Sequence, residues 1–116
     1  MADTKIPNPL ERRHLLERDL GAAAALALAE AYLAEGRREE ALHFLEKAGA
    51  PGDERLEALA EEAICEGDAF LLRSIADLTG NEPDPETWER AAAAAEAAGK
   101  LRYAATARRQ AGRVSD

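Results

Sequence analysis

The sequence predicts an all-α fold of three tandem antiparallel helical hairpins, stacked as a short solenoid and preceded by an N-terminal helix. Two observations support this prediction: alanine supplies 28 of the 116 residues, and six of the eight glycines form three pairs with the same separation within each pair. Alanine has the highest helix propensity, and a glycine just after a helix can adopt the left-handed conformation that ends it. A chain of this length can fold without metal or disulfide support, so we expect one domain, residues 1–116.

The glycine pairs define the repeat. The two members of each pair are 13 residues apart, and successive pairs begin 31 and 32 residues apart. Self-similarity at this period is typical of a helical solenoid. The pairs are Gly36 with Gly49, Gly67 with Gly80, and Gly99 with Gly112.

Each repeat is predicted to contain two helices. Repeat one covers 22–49, repeat two covers 53–80 and repeat three covers 84–112, with Asp53 and Asp84 as expected N-caps. An additional N-terminal helix is predicted within residues 8–20, because Asn8-Pro9 is a helix-start signal. Its leucines, including Leu10, are expected to be buried. The predicted helices lie near 9–19, 22–35, 38–48, 54–66, 69–79, 85–98 and 100–111.

A core built mainly from alanine is thin, so it depends on a few large residues. We expect these to be the five aromatic side chains of the sequence. The five are Tyr32, Phe44, Phe70, Trp88 and Tyr103.

The net charge of −8 disfavours nucleic acid as the main ligand, because phosphate binding needs a basic surface. The charge is polarised, since residues 100–115 carry five basic residues and no acidic one. The N-terminal residues lack a signal-peptide stretch, and the apolar run 22–34 is too short to span a bilayer. We therefore expect a cytoplasmic protein without a membrane partner.

Repeat one resembles a tetratricopeptide repeat, through the spacing of its small, leucine and tyrosine positions around Gly36. Repeat three is similar in part, with Trp88 and Ala92 before Gly99, and repeat two matches least. The resemblance covers residues 22–112 and implies a right-handed stack whose concave groove binds protein; a generic α-hairpin array is the alternative. The matching positions of repeat one are Ala25, Leu28, Ala29, Tyr32, Gly36, Ala41, Leu45 and Ala48.

No residue pattern in the sequence indicates catalysis. His14 and His43 lie in different predicted helices without the spacing of a metal-binding pair, and His43 is expected to be partly packed. Cys65 follows several glutamates and is expected to be inert and half-buried. No glycine-rich phosphate loop occurs. The sequence thus predicts a protein that is not an enzyme and has no metal site or cofactor.

The candidate binding residues lie on the first helix of each repeat. They occupy the side of that helix opposite to the side expected to pack in the core. The resemblance implies that this edge lines the groove, where leucines would contact an apolar anchor and glutamates a basic segment of a protein or peptide. Ordinary solvated helix faces are the alternative interpretation. The candidate partner-binding residues are Leu26, Glu30, Leu33, Glu57, Glu61, Ile64, Glu89 and Glu96.

Two other functions stay open. The last helix has no following repeat to cover it, so Leu101, Ala104, Ala105 and Ala111 could stay partly exposed and favour a homo-oligomer. In that case the basic end of one copy could approach the acidic surface of another. A hydrolase with an unrecognised carboxylate pair is the remote alternative, because nothing indicates the enclosing pocket such a pair needs.

Overall fold

The computed structural model of the protein describes residues 6–17 and 21–115, most of which are helical. Within these ranges the chain forms seven helices and no strand, so the predicted all-α class is confirmed. The helices are α1 (Pro9–Glu17), α2 (Ala22–Ala34), α3 (Arg38–Lys47), α4 (Ala50–Glu66), α5 (Ala69–Thr79), α6 (Pro85–Ala97) and α7 (Leu101–Ser115).

The chain packs as two compact units, Met1–Leu56 and Glu57–Asp116. The boundary lies within α4, so predicted repeat two, residues 53–80, contributes to both units. The count of one domain and the stacking of three hairpins stay predictions.

Five of the six paired glycines end helices as predicted. Their φ angles lie between +71° and +75°, the left-handed region in which a side chain is strained. The prediction for Gly112 is wrong, because this glycine lies inside α7 without a positive φ and the helix continues to Ser115.

The two predicted N-caps have different outcomes. Asp84 caps α6 as predicted: the backbone N–H of Thr87 donates to the Asp84 carboxylate at 2.8 Å, and hydrogen bonding from Thr87 lowers the pKa of Asp84. The prediction for Asp53 is wrong, because α4 begins earlier, at Ala50. Pro51 lies in the first turn of α4, where a helix does not need its missing N–H.

In the first unit, α2 packs against α3 through a small aromatic core. The Tyr32 and Phe44 rings are both fully buried and stack with their centroids 5.5 Å apart. The Arg37 guanidinium covers the Tyr32 ring at 4.9 Å and also donates to Glu40 at 2.7 Å. Arg12 of α1 forms a second ion pair with Glu40, which ties α1 to α3.

In the second unit, α6 packs along α7, and α5 contacts both helices. Trp88 is fully buried, and its indole N–H donates to Glu82 at 3.2 Å. The Arg73 guanidinium lies 5.6 Å from the Trp88 ring centroid and donates to Asp77 at 2.8 Å, Glu82 at 2.9 Å and Gln110 at 2.9 Å. One arginine thus connects α5, α6, α7 and the segment before α6.

Two predictions about apolar side chains are wrong. Phe70, near the start of α5, is 44% exposed, and its ring meets the half-buried Tyr103 ring in a T-shaped contact with centroids 4.9 Å apart. Leu10 is 63% exposed on α1 instead of buried. The side chains of the other leucines predicted for this helix, and its predicted end at residues 18–20, lie outside the described residues.

Candidate functional site

The candidate residues of α2 combine apolar and acidic character. Leu26 and Leu33 are half-buried, and Glu30 is exposed. Arg55 of α4 donates to the Glu30 carboxylate at 3.1 Å, within the first unit. This ion pair neutralises the acidic residue that α2 contributes to the predicted row.

On α4 the structure separates the glutamates from the isoleucine. Glu57 and Glu61 are exposed, as a binding surface requires. Ile64 is only 8% exposed, so its prediction as a partner contact is wrong: the side chain belongs to the core of the second unit. The neighbouring Glu62 is exposed and adds a carboxylate that the predicted row does not contain.

The glutamates of α6 lie on the solvent side of the second unit. Glu89 and Glu96 are both exposed, while Trp88 and Ala92 face the core. Arg90 of α6 donates to Glu61 of α4 at 3.1 Å, so the two helices are neighbours at this point. We call this surface the acidic face; its members are Glu57, Glu61, Glu62, Glu89 and Glu96.

Part of the acidic face is internally neutralised. Glu96 forms an ion pair with Arg108 of α7, and its carboxylate raises the pKa of the Arg108 guanidinium through a hydrogen bond and its charge. Glu61 forms an ion pair with Arg90. Among the residues that the structure describes, the other three members, Glu57, Glu62 and Glu89, form no ion pair. Two of these three carboxylates lie on α4.

Sequence reasoning missed the basic partners of these carboxylates. A signal was present, because Arg55 directly follows Glu54 and Arg90 directly follows Glu89. Successive residues of a helix point to different faces. An arginine directly after a glutamate therefore lies on a neighbouring face of that helix, where it can contact a carboxylate on an adjacent helix.

The acidic face borders an open depression of about 390 Å³ along α4. Its lining side chains follow the three- and four-residue spacing of one helix face. The lining residues are Ala58, Glu61, Glu62, Cys65 and Glu66.

Two residues considered for chemistry lie at the surface. Cys65 is exposed instead of half-buried, with its sulfur 3.7 Å from a Glu61 carboxylate oxygen. His43 is exposed on α3 instead of partly packed, and the His14 side chain lies outside the described residues. Within residues 6–17 and 21–115, no three His, Cys, Asp or Glu side chains are grouped to hold a metal ion.

A basic surface lies on the last helix of the same unit. Arg102, Arg109 and Arg113 are exposed on α7, and we call them the basic face. Of the residues expected to stay open on this helix, Leu101 is 71% exposed and Ala105 is exposed. Ala104 and Ala111 are buried instead, because they lie on the side of α7 that faces the core.

No helix of the described chain is both long and apolar enough to cross a membrane. Comparison of the chain with protein-family models, curated proteins and solved structures finds no match. The resemblance to tetratricopeptide repeats is therefore carried by the residue pattern alone.

Proposed function

We propose that the chain is a cytoplasmic, non-enzymatic scaffold of the tetratricopeptide-like kind, which binds a basic segment of a protein or peptide on the acidic face. The observation that supports this proposal is the exposure of five carboxylates on two neighbouring helices, α4 and α6. In a stack of three hairpins these first helices would line a concave groove.

The two carboxylates on α4 that have no ion-pair partner give the face its attraction for cations. Glu57 and Glu62 lie on a regular helix, which fixes the spacing of their backbone positions before a ligand arrives. A ligand with Lys or Arg side chains would gain opposite charge without first breaking an internal ion pair. Affinity should therefore fall as salt screens these exposed charges.

The ion pair between Glu61 and Arg90 offers little resistance to a ligand. Both side chains are more than half exposed, at 59% and 53%. Exposed ion pairs contribute roughly 0 to 1 kcal/mol, so a ligand lysine or arginine can replace Arg90 at small cost. The depression beside Glu61 leaves room for the methylene part of such a side chain.

The test is capture of partners from the native extract with wild-type protein and a charge-reversed variant. The variant carries Glu57→Lys, Glu61→Lys and Glu89→Lys, all at exposed positions. We expect the wild type to recover a partner at low salt that is lost at moderate salt and lost with the variant.

A matched control variant reverses the charge of three exposed glutamates in the first unit, through Glu35→Lys, Glu39→Lys and Glu46→Lys. This control changes the net charge by the same amount and leaves the acidic face intact, so it should recover the same partner as the wild type. Recovery of identical partners by all three proteins would contradict the proposal.

A further inference from the structure

The basic face forms one line along the outer side of α7. Arg102, Arg109 and Arg113 are separated by seven and four residues, and these spacings return to the same side of a helix. The exposed residues Ala105 and Gly112 lie beside this line and carry almost no side chain. Another helix can therefore approach the backbone of α7 closely.

The opposite side of α7 anchors the helix. Ala104, Ala107 and Ala111 are buried, with 4% exposure or less, at the spacing expected of a packed face. The Arg109 guanidinium also donates to the Thr106 hydroxyl at 3.1 Å. The arginines thus extend from a helix whose orientation the core fixes, and α7 contains no acidic residue to neutralise them.

The acidic face of the same unit matches this line in charge and spacing. Arg109 and Arg113 are four residues apart on α7, and Glu57 and Glu61 are four residues apart on α4. Four residues of helix rise about 6 Å, so two ion pairs can form at once between helices lying side by side. Ala58, exposed between the two glutamates, leaves space for the approach.

From this complementarity we infer that the basic face of one copy docks on the α4 part of the acidic face of a second copy. The inference rests on the proposed acidic binding face and names an occupant for it: α7 of the same protein. The two surfaces are different, so the contact is head to tail and leaves a free acidic face on one copy of the dimer and a free basic face on the other. Oligomers should then grow with concentration and shrink with salt.

The test uses two variants that neutralise one surface each without reversing its charge. The first carries Arg102→Gln, Arg109→Gln and Arg113→Gln; the second carries Glu57→Gln and Glu61→Gln. All five positions are exposed, so both variants should keep the fold. Sedimentation equilibrium at low salt, from about 10 to about 500 µM, covers the range of weak association.

We expect the wild-type mass to rise with concentration and each variant alone to stay monomeric. An equimolar mixture of the two variants should form a one-to-one dimer and grow no further. The intact α7 of the second variant can dock on the intact acidic face of the first, while the remaining surfaces are neutralised. A symmetric interface between the two faces would instead close at a dimer, so the wild-type mass would not rise beyond that of two copies.

A wild type that stays monomeric over this range, or a mixture that behaves like its separate components, overturns the inference. The proposed function has a separate outcome. If the wild type is monomeric but still captures a partner that the Glu57→Lys, Glu61→Lys, Glu89→Lys variant does not capture, the inference is wrong and the proposed scaffold function is supported. Head-to-tail association without any such partner would support the inference and count against the scaffold.

Discussion

Gly67, just after α4, lies against the backbone of Ala95 on α6. A Cβ atom at position 67 would be 2.4 Å from the Ala95 backbone nitrogen and 2.5 Å from its Cα. Gly67 also has a φ of +75°, so two independent constraints act on this residue. The contact fixes how closely the end of α4 approaches α6 within the second unit.

Replacing this glycine should therefore cost more than replacing one that only ends a helix. Gly80 is the matched control, because its φ is +74° and a Cβ atom at that position would meet nothing within 4 Å. We expect Gly80→Ala to destabilise the protein by about 1–2 kcal/mol, the left-handed penalty, and Gly67→Ala by more than ~4 kcal/mol. Urea unfolding measures both, and equal losses would contradict the backbone clash at position 67.

The Arg73 network should distinguish arginine from lysine. The guanidinium reaches Asp77, Glu82 and Gln110 from one planar group, which an ammonium cannot reproduce. We expect Arg73→Lys to lower the free energy of unfolding by about 1–3 kcal/mol, because hydrogen bonds of this network are lost and Trp88 loses the planar guanidinium over its ring. Arg102→Lys, at an exposed position on α7, should change it by less than about 0.5 kcal/mol in the same urea titration.

The hydroxyl of Tyr32 is buried without a hydrogen-bond partner in the described part of the chain. Tyr32→Phe removes this unsatisfied group and keeps both the stack on Phe44 and the Arg37 contact. We expect stability to rise by up to about 1 kcal/mol, since a buried hydroxyl without a partner is a cost. In thermal unfolding, a clear loss of stability for Tyr32→Phe would contradict this; Tyr103→Phe, half-buried, is the control.

Acid should weaken the first unit through Glu40. The hydrogen bond from Arg37, together with the charges of Arg37 and Arg12, lowers the pKa of Glu40 from 4.5. A carboxyl group with a lowered folded pKa contributes stability above its unfolded pKa and loses it as pH falls through the folded value. Amide exchange in α2 and α3 should therefore accelerate as pH drops below about 4.5 after correction for intrinsic rates, and Glu40→Gln should remove this part of the acid dependence.

The same measurement on Glu46→Gln provides the control, because this exposed glutamate lies on α3 without belonging to the Arg12 and Arg37 cluster. Its acid dependence should match that of the wild type. Identical profiles for Glu40→Gln and the wild type would show that the ion pairs do not contribute to folding.

Local chemistry made most helix ends predictable. Gly36 and Gly99 end helices through backbone freedom, and Asp84 with Pro85 begins one through capping, so neighbouring residues suffice to place these boundaries. The predicted start at Asp53 was wrong because α4 begins at Ala50 and includes Gly52, which packs closely against Leu45. A Cβ there would lie 1.9 Å from the Leu45 carbonyl oxygen, a tertiary contact that no local pattern reveals.

The acidic face was predictable in part. Periodicity placed Glu57, Glu61 and Glu89 on the solvent side, since helix spacing alone decides which residues share a face. It could not place Ile64, at the edge of that face, because burial there depends on how closely the neighbouring helix packs. The pairing of Glu61 with Arg90 joins side chains 29 residues apart and depends on tertiary structure as well.

The alanine-lined core has a thermal consequence. Alanine supplies 13 of the 24 buried hydrophobic residues in the described chain, and each contributes a single methyl group. Unfolding therefore exposes less apolar surface per residue than in a leucine-rich domain, and the heat-capacity increment should fall below the usual value of about 12–15 cal/mol/K per residue. A small heat-capacity increment flattens the curve of the free energy of unfolding against temperature. The free energy of unfolding should therefore change little between cold-storage and physiological temperatures.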